Sequence, residues 1–249
     1  MHIIKLDTIN STNDFLKQYA IEKLPQNFTV VVAKNQTKGR GQMGETWQSE
    51  YGKNLTFSVL VRDLLIARPD VFILNKAVAL AVLYTLEKFK ISNLAIKWPN
   101  DILSENKKLV GILIENTFKT NENIQSIIGI GINVNQTVFV HLPQATSMAI
   151  IKAKTFDLDE VLNVFLNELS AVVNLIKFDQ IQLIKEKYDK YLFHKDKLSV
   201  FEDKHNQRFM GIIRHVNDDG QIIIEKENEI FEAYGFKEVK TLLNFGRPF

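Results

Sequence analysis

Apolar residues recur along the 249-residue chain at two spacings, and the mixture of the two changes near residue 195. Upstream, helical and extended patterns intermingle. FLKQYAIEK, residues 15 to 23, follows Ser11-Thr12-Asn13-Asp14, so Ser11 or Thr12 predicts an N-cap with Asp14 in the first helical turn. Phe28 to Ala33 is a compact strand signal, and Leu55, Phe57, Val59 and Val61 alternate with Thr56, Ser58 and Leu60 in a second. Pro69 to Phe89 predicts a helix that opens on proline and turns Phe72, Ile73, Lys76, Ala77, Leu80, Leu83 and Tyr84 toward a sheet. The apolar runs Leu94 to Trp98 and Leu109 to Glu115 flank a polar turn at Glu105-Asn106-Lys107. Ile124 to Val134 is a further strand, and its Gly129 and Gly131 leave room for something to approach closely.

Two amphipathic helices, Leu158 to Lys177 and Gln180 to Tyr191, complete this part. From Lys197 only short strand patterns remain, LSVFE, RFMGIIRHV, QIIIEKE, EIFEAYG and VKTLL, with Asp218-Asp219-Gly220 as a turn. They predict a small β-barrel of about fifty residues, hence two units, 1–194 and 195–249. A hydrophobic content of 45% is ample for such cores. With 31 Lys and Arg against 29 Asp and Glu, nothing global points to a nucleic-acid or membrane surface. The absence of cysteine excludes disulfides, thiolate metal sites and a cysteine nucleophile. The scattered His2, His141, His194, His205 and His215 argue against a histidine metal site. No signal-like start and no long apolar run occur, so a soluble, cytoplasmic protein is expected.

Candidate chemistry concentrates in two places. The first is KGRGQMGETW, where Gly39, Gly41 and Gly44 stand in the spacing of a dinucleotide fingerprint. That fingerprint requires a strand ending at its first glycine and a helix opening at its last, whose N-terminus holds the pyrophosphate. Here five residues separate Ala33 from Gly39, and polar ETWQSEYGKNL leads into a strand. A Rossmann reading fails, leaving a flexible surface loop or a ligand loop of another kind. The second place is IKWPNDILSENKKLVGILIE. Lys97, Trp98, Asn100 and Asp101 cluster at a strand end broken by Pro99, and Lys108 opens the next strand near Gly111. Two ammonium groups, an amide and a carboxylate on neighbouring strand ends suit a substrate whose anionic groups must be neutralised.

These segments resemble the biotin protein ligases, which form biotinyl-adenylate and pass biotin to a carrier-protein lysine. The resemblance rests on Ser11-Thr12-Asn13, on Gln36 to Gly44 with its GRG core, on Lys97-Trp98-Pro99-Asn100-Asp101 followed by Lys108-Leu109-x-Gly111-Ile112-Leu113, and on Gly129-Ile130-Gly131-Ile132-Asn133. KWPND with K-L-x-G-I-L is the specific element. The resemblance implies an α+β fold, with a mixed-sheet catalytic domain like that of class II aminoacyl-tRNA synthetases and the biotin and lipoate ligases, followed by a small C-terminal β-barrel. Some family members also carry an N-terminal DNA-binding unit. This chain opens at the catalytic pattern, so no DNA partner is expected.

For the site, the resemblance implies biotin contacts from Ser11, Thr12, Asn13, Gln36, Gly39, Arg40, Gly41, Gln42, Lys108 and Gly111. It implies ATP and adenylate contacts from Arg40, Gln42, Trp47, Lys97, Asn100 and Asn133. Arg40, Lys97, Lys108 and Asp101 are the implied catalytic groups, with Mg²⁺ held mainly through the ATP phosphates. Asp101 either orients or deprotonates the incoming lysine, or binds Mg²⁺. The implied partner is a biotin carboxyl carrier protein, and the chain is expected as a monomer or weak homodimer. Many relatives read G-R-G-R-x-G, whereas this loop has Gln42 at the second arginine and Glu45 where a basic residue is common. Its glycines make residues 38 to 47 costly to order, so the loop is expected to be mobile without ligand and ordered over the adenylate. A lipoate or octanoate transferase is the nearest alternative, and a non-catalytic biotin- or carrier-binding module the alternative from another class.

Overall fold

A computed structural model describes residues 1–65, 70–118, 123–140 and 142–242. The predicted helix start at Pro69, His141 and the last leucine of VKTLL lie outside the described residues. A seven-stranded mixed sheet is built from β1 (His2–Ile9), β2 (Thr29–Gln36), β3 (Leu55–Leu65), β4 (Leu94–Lys97), β5 (Asp101–Ser104), β6 (Lys107–Phe118) and β7 (Asn123–Ile132). Its order is β1-β2-β3-β7-β6-β5-β4. β1 and β2 pair in parallel, and the remaining ladders are antiparallel.

The period-two alternation of β2, β3 and β7 separates two cores. Val30, Phe57, Val59, Ile128 and Ile130 face the larger one, beneath α2 (Phe72–Lys88), α4 (Leu158–Lys177) and α5 (Ile181–Tyr191). Val31, Leu60 and Ile127 face a smaller one, covered by Leu16 and Ala20 of α1 (Thr12–Glu22). Ser11 is the N-cap of α1, its hydroxyl accepting from Asp14 N at 3.3 Å, a contact worth about 1 kcal/mol. Asp157 caps α4 by accepting from Asp159 N and Glu160 N. α2 is buried all round rather than along one face, and Lys76, 2% exposed, donates to Val216 O at 2.6 Å. α3 (Met148–Lys152), β1 and β5 were not among the predicted elements. β5 follows a tight turn at residues 98–100, where an irregular bend was expected, so that Lys97 and Asp101 are direct cross-strand partners.

The tail comprises β8 (Leu198–Asp203), β9 (Arg208–Val216), β10 (Ile222–Glu225), β11 (Phe231–Tyr234) and β12 (Val239–Thr241). They form an antiparallel sheet of order β11-β10-β9-β8-β12, an open sheet rather than the closed barrel expected, since no ladder joins β11 to β12 among the described residues. It docks on the larger unit through Trp98, whose Nε1 donates to Gly220 O at 2.8 Å and whose ring lies 5.4 Å from that of Phe236. No helix among the described residues is long and apolar enough to cross a membrane.

Candidate active site

The cleft lies on the α1 face of the large sheet. Cross-strand pairing places Ser58 opposite Gly129 and Gly111 opposite Gly131. Three of these positions lack side chains, which lets two residues from elsewhere settle on the sheet. A Cβ at Gly129 would stand 2.3 Å from Asn13 Oδ1, and one at Gly131 only 2.2 Å from Trp47 Cε2. Trp47 therefore lies across the paired Gly111 and Gly131, with its indole Nε1 buried and without a partner among the described residues. The close approach expected at Gly129 and Gly131 is thus made by the chain's own side chains.

A cleft of about 750 Å³, part of it open to solvent, runs between α1, the glycine loop and this floor. At one end is a connected polar group. Gln36 Oε1 accepts from Thr12 N (2.8 Å) and Thr12 Oγ1 (3.0 Å), and the Ser58 hydroxyl bridges Thr12 Oγ1 (2.8 Å) and Asn13 Oδ1 (2.6 Å). With its oxygen engaged, Gln36 presents its NH₂ group at the cleft wall, bonded to no partner among the described residues. Asn13 Nδ2 donates onward to Glu115 Oε2 at 2.9 Å.

Charge enters the cleft in compensated pairs. Arg40 reaches Asp14 Oδ1 at 2.7 Å and Glu115 Oε1 at 2.6 Å. The Glu115 contact, followed by the nearby negative charges, holds the guanidinium above its usual range against a burial cost. Burial pushes the Glu115 carboxyl up, but hydrogen bonds from Asn13 and Arg40 outweigh it and leave the group below the ordinary carboxylate range. Lys108 Nζ stands 2.7 Å from Asp101 Oδ1, an ion pair off the line of an aligned hydrogen bond, and 5.8 Å from the centroid of the Trp47 ring. The glycine loop contains one short 3₁₀ turn, Gln42–Gly44, and no helix follows it. It closes on itself through Gly41 N to Glu45 O (2.6 Å) and Trp47 N to Gly39 O (2.9 Å).

Of the residues singled out in sequence, Ser11, Thr12, Asn13, Gln36, Arg40 and Gly41 line this cleft. So do Gln42, Trp47, Asn100, Asp101, Lys108 and Gly111. Gly39 contributes through its carbonyl, which holds the backbone of Trp47. Asn100 also braces the turn, donating through Nδ2 to Ile112 O at 2.9 Å. Lys97 lines a second cleft between the two sheets, of about 980 Å³ with part of it open to solvent, which shares Gln42, Glu45, Asn100 and Asp101 with the first. Asn133 lines a third, where Phe139 and Leu142 meet Trp47 and Lys108. Sequence reasoning missed Ser58 and Glu115. Ser58 had a signal, a polar residue on the strand face opposite Phe57 and Val59; Glu115, at the end of an apolar run, had none. Among the described residues no group of acidic or histidine side chains could hold a metal ion.

Hydrogen-bonding groups, a flat indole wall and an ion-paired lysine and arginine share one cleft, a set of groups suited to a partly apolar molecule with a polar head and an anionic group. The sequence profile of the biotin/lipoate A/B protein ligase family matches residues 6–133. The chain belongs to that family. The bifunctional ligase/repressor BirA of Bacillus subtilis is 40% identical over 140 residues, which are 54% of this chain and 41% of that protein. The match thus spans less than half of that relative's length. BirA of Escherichia coli is 29% identical over 235 residues, covering 90% of this chain and 70% of that protein. The solved biotin protein ligase of Aquifex aeolicus in complex with biotin and ATP is 26% identical, with a TM-score of 0.77 over 97% of this chain and 98% of its own.

Proposed function

We propose that this chain activates biotin with ATP as biotinyl-5'-AMP and transfers the biotinyl group to a lysine of a biotin carboxyl carrier protein, a subunit of acetyl-CoA carboxylase or a related carboxylase. The observation that carries this reading is the convergence of Ser11-Thr12-Asn13, Gln36 with the GRG loop, Asn100-Asp101 with Lys108, and Gly129-Ile130-Gly131 on one cleft. Biotin's ureido ring needs donors and acceptors, and Thr12, Asn13 and the NH₂ group of Gln36 offer them. A dithiolane ring has no such needs, so the polar end favours biotin over lipoate or octanoate. A non-catalytic module has no use for the ion-paired Lys108 and Arg40 that face the same cleft.

In the first step a biotin carboxylate oxygen attacks the α-phosphorus of ATP, the bond to the bridging oxygen of the β-phosphate breaks, and diphosphate leaves. Two anions must be brought together; Lys108 and Arg40 neutralise them as their pairs with Asp101 and with Asp14 and Glu115 open, and Lys97 faces the phosphates from the neighbouring cavity. Asn100 and Asn133 contact the adenylate, with Trp47 as its flat wall. In the second step the carrier amine attacks the acyl carbonyl of the mixed anhydride and AMP departs. Asp101, beside Lys108, orients that amine or takes its proton. Mg²⁺ would be held mainly through the ATP phosphates, with Asp101 the candidate protein ligand, and would supply charge neutralisation there. We divide the chain into a catalytic unit, 1–194, and a C-terminal unit, 195–249, acting in the cytoplasm as a monomer or weak homodimer.

Thermal unfolding with biotin, lipoate or neither tests the substrate assignment. Stabilisation by biotin alone, followed by diphosphate release on adding ATP and Mg²⁺, is expected; stabilisation by lipoate alone defeats it.

A further inference from the structure

Within residues 39–47 Arg40 is the sole basic side chain, and it is committed to Asp14 and Glu115. Gln42 carries no charge, and Glu45 adds a negative one at the same walls. The loop is nevertheless met by a cation from the other end of the chain, because Lys237 Nζ donates to Met43 O at 2.7 Å. Met43 and Lys237 both sit in the left-handed region, with φ of 53° and 62°.

The base from which Lys237 reaches is well fixed. Its turn joins β11 to β12, and Glu238 Oε2 accepts from Gly235 N at 2.8 Å. The adjacent Phe236 ring lies 5.4 Å from Trp98 and 6.1 Å from Phe72. The turn is thereby anchored to the same WPND bend that carries Asn100 and Asp101, and only the lysine stem spans to the loop. Lys237 lines the inter-sheet cavity with Gln42, Met43, Glu45 and Lys97, and Gln42 and Glu45 line the cleft as well. Lys38 and Lys53, nearer in sequence, line neither.

We propose that Lys237 is a positioning residue by which the C-terminal sheet holds the glycine loop over the acyl-adenylate, supplying the cation that Gln42 does not. The inference rests on the acyl-adenylate reading above. An ammonium has three donors; Met43 O takes one, and two remain for the phosphoryl oxygens beside Gln42. A side chain of similar length without a donor frees the loop while leaving the hydrogen-bonding end of the cleft intact.

The test uses the full chain loaded with biotin, radiolabelled ATP and Mg²⁺, and follows adenylate release from wild type, Lys237→Met and Lys237→Arg, with biotin affinity measured separately. Lys237→Met is expected to release adenylate about tenfold faster, the effect of one charge-assisted hydrogen bond, with biotin affinity unchanged. Lys237→Arg is expected to stay within about threefold of wild type, since it keeps charge and donors. In a Gln42→Arg background, Lys237→Met should have a smaller effect, because the missing cation has been restored. A wild-type chain that forms no adenylate overturns both readings. Adenylate formation with Lys237→Met release within about twofold of wild type, equal acceleration by Met and Arg, or an undiminished effect in the Gln42→Arg background overturns this one alone.

Discussion

Gly131→Ala is the sharpest perturbation of the cleft floor. Its new Cβ would stand 2.2 Å from Trp47 Cε2, 2.4 Å from Cζ2 and 2.7 Å from Nε1. Carbon atoms rest about 3.5 to 4.0 Å apart, so the indole must retreat by more than ~1 Å from the sheet into the cavities it lines. Overpacking of this kind costs roughly 1–3 kcal/mol, which at this chain length lowers Tm by roughly 3 to 9 °C. At Gly111 the nearest indole atom lies at 2.9 Å, so Gly111→Ala asks less of the same ring and should cost less. The chain has two tryptophans, so Trp98→Phe in parent and variants leaves Trp47 as the sole indole reporter. The expected result is a red-shifted Trp47 emission and lower Tm in the order Gly131→Ala, then Gly111→Ala, with biotin binding weakened in the same order. Unchanged emission and Tm in Gly131→Ala, or a milder effect than Gly111→Ala, would refute the glycine floor.

Arg40→Met removes the partner that helps hold Glu115 below the carboxylate range. A depressed carboxylate contributes stability above its unfolded pKa and loses it as pH falls through the folded value. The variant's acid-denaturation midpoint should therefore move to higher pH, and an unmoved midpoint would deny the Arg40–Glu115 coupling. Lys108→Met should slow biotin-dependent diphosphate release by about 10²-fold, the scale of removing one charge-stabilising group, with biotin affinity falling less; steady-state kinetics and calorimetry separate the two. Amide exchange across residues 38 to 47 should slow on adding biotin and ATP together, and exchange unchanged by both would end the expectation that the loop orders over the adenylate.

The sequence made the strand–helix order readable where the pattern was long and regular, as in β3, α4 and β7, whose bounds fall close to the predicted ones. It obscured β1, whose residues are mostly exposed or half-buried along an edge and show no clean alternation, and β5, whose four residues hide behind a proline turn. The tail strands were legible individually, but sheet closure is a matter of which edges meet, and no local pattern encodes it. Within the cleft, Thr12, Gln36 and Lys108 were named through the family resemblance, and all three line it. Glu115 was not, because a carboxylate at a strand end is ordinarily a solvated residue, and only the fold brings Asn13 and Arg40 to it. Lys97 illustrates the converse. Its proximity to Asn100 and Asp101 in sequence suggested one cluster, and the hairpin does keep the three together on the inter-sheet cavity, while only Asn100 and Asp101 also reach the cleft.

The central claim is the transfer itself. Purified chain incubated with biotin, ATP, Mg²⁺ and a biotin carboxyl carrier domain should yield acceptor heavier by one biotinyl group on a single lysine, with AMP and diphosphate in equal amounts, and none of this when ATP or biotin is left out. Acceptor of unchanged mass after prolonged incubation, or a lipoyl adduct formed in preference to a biotinyl one, would contradict the account.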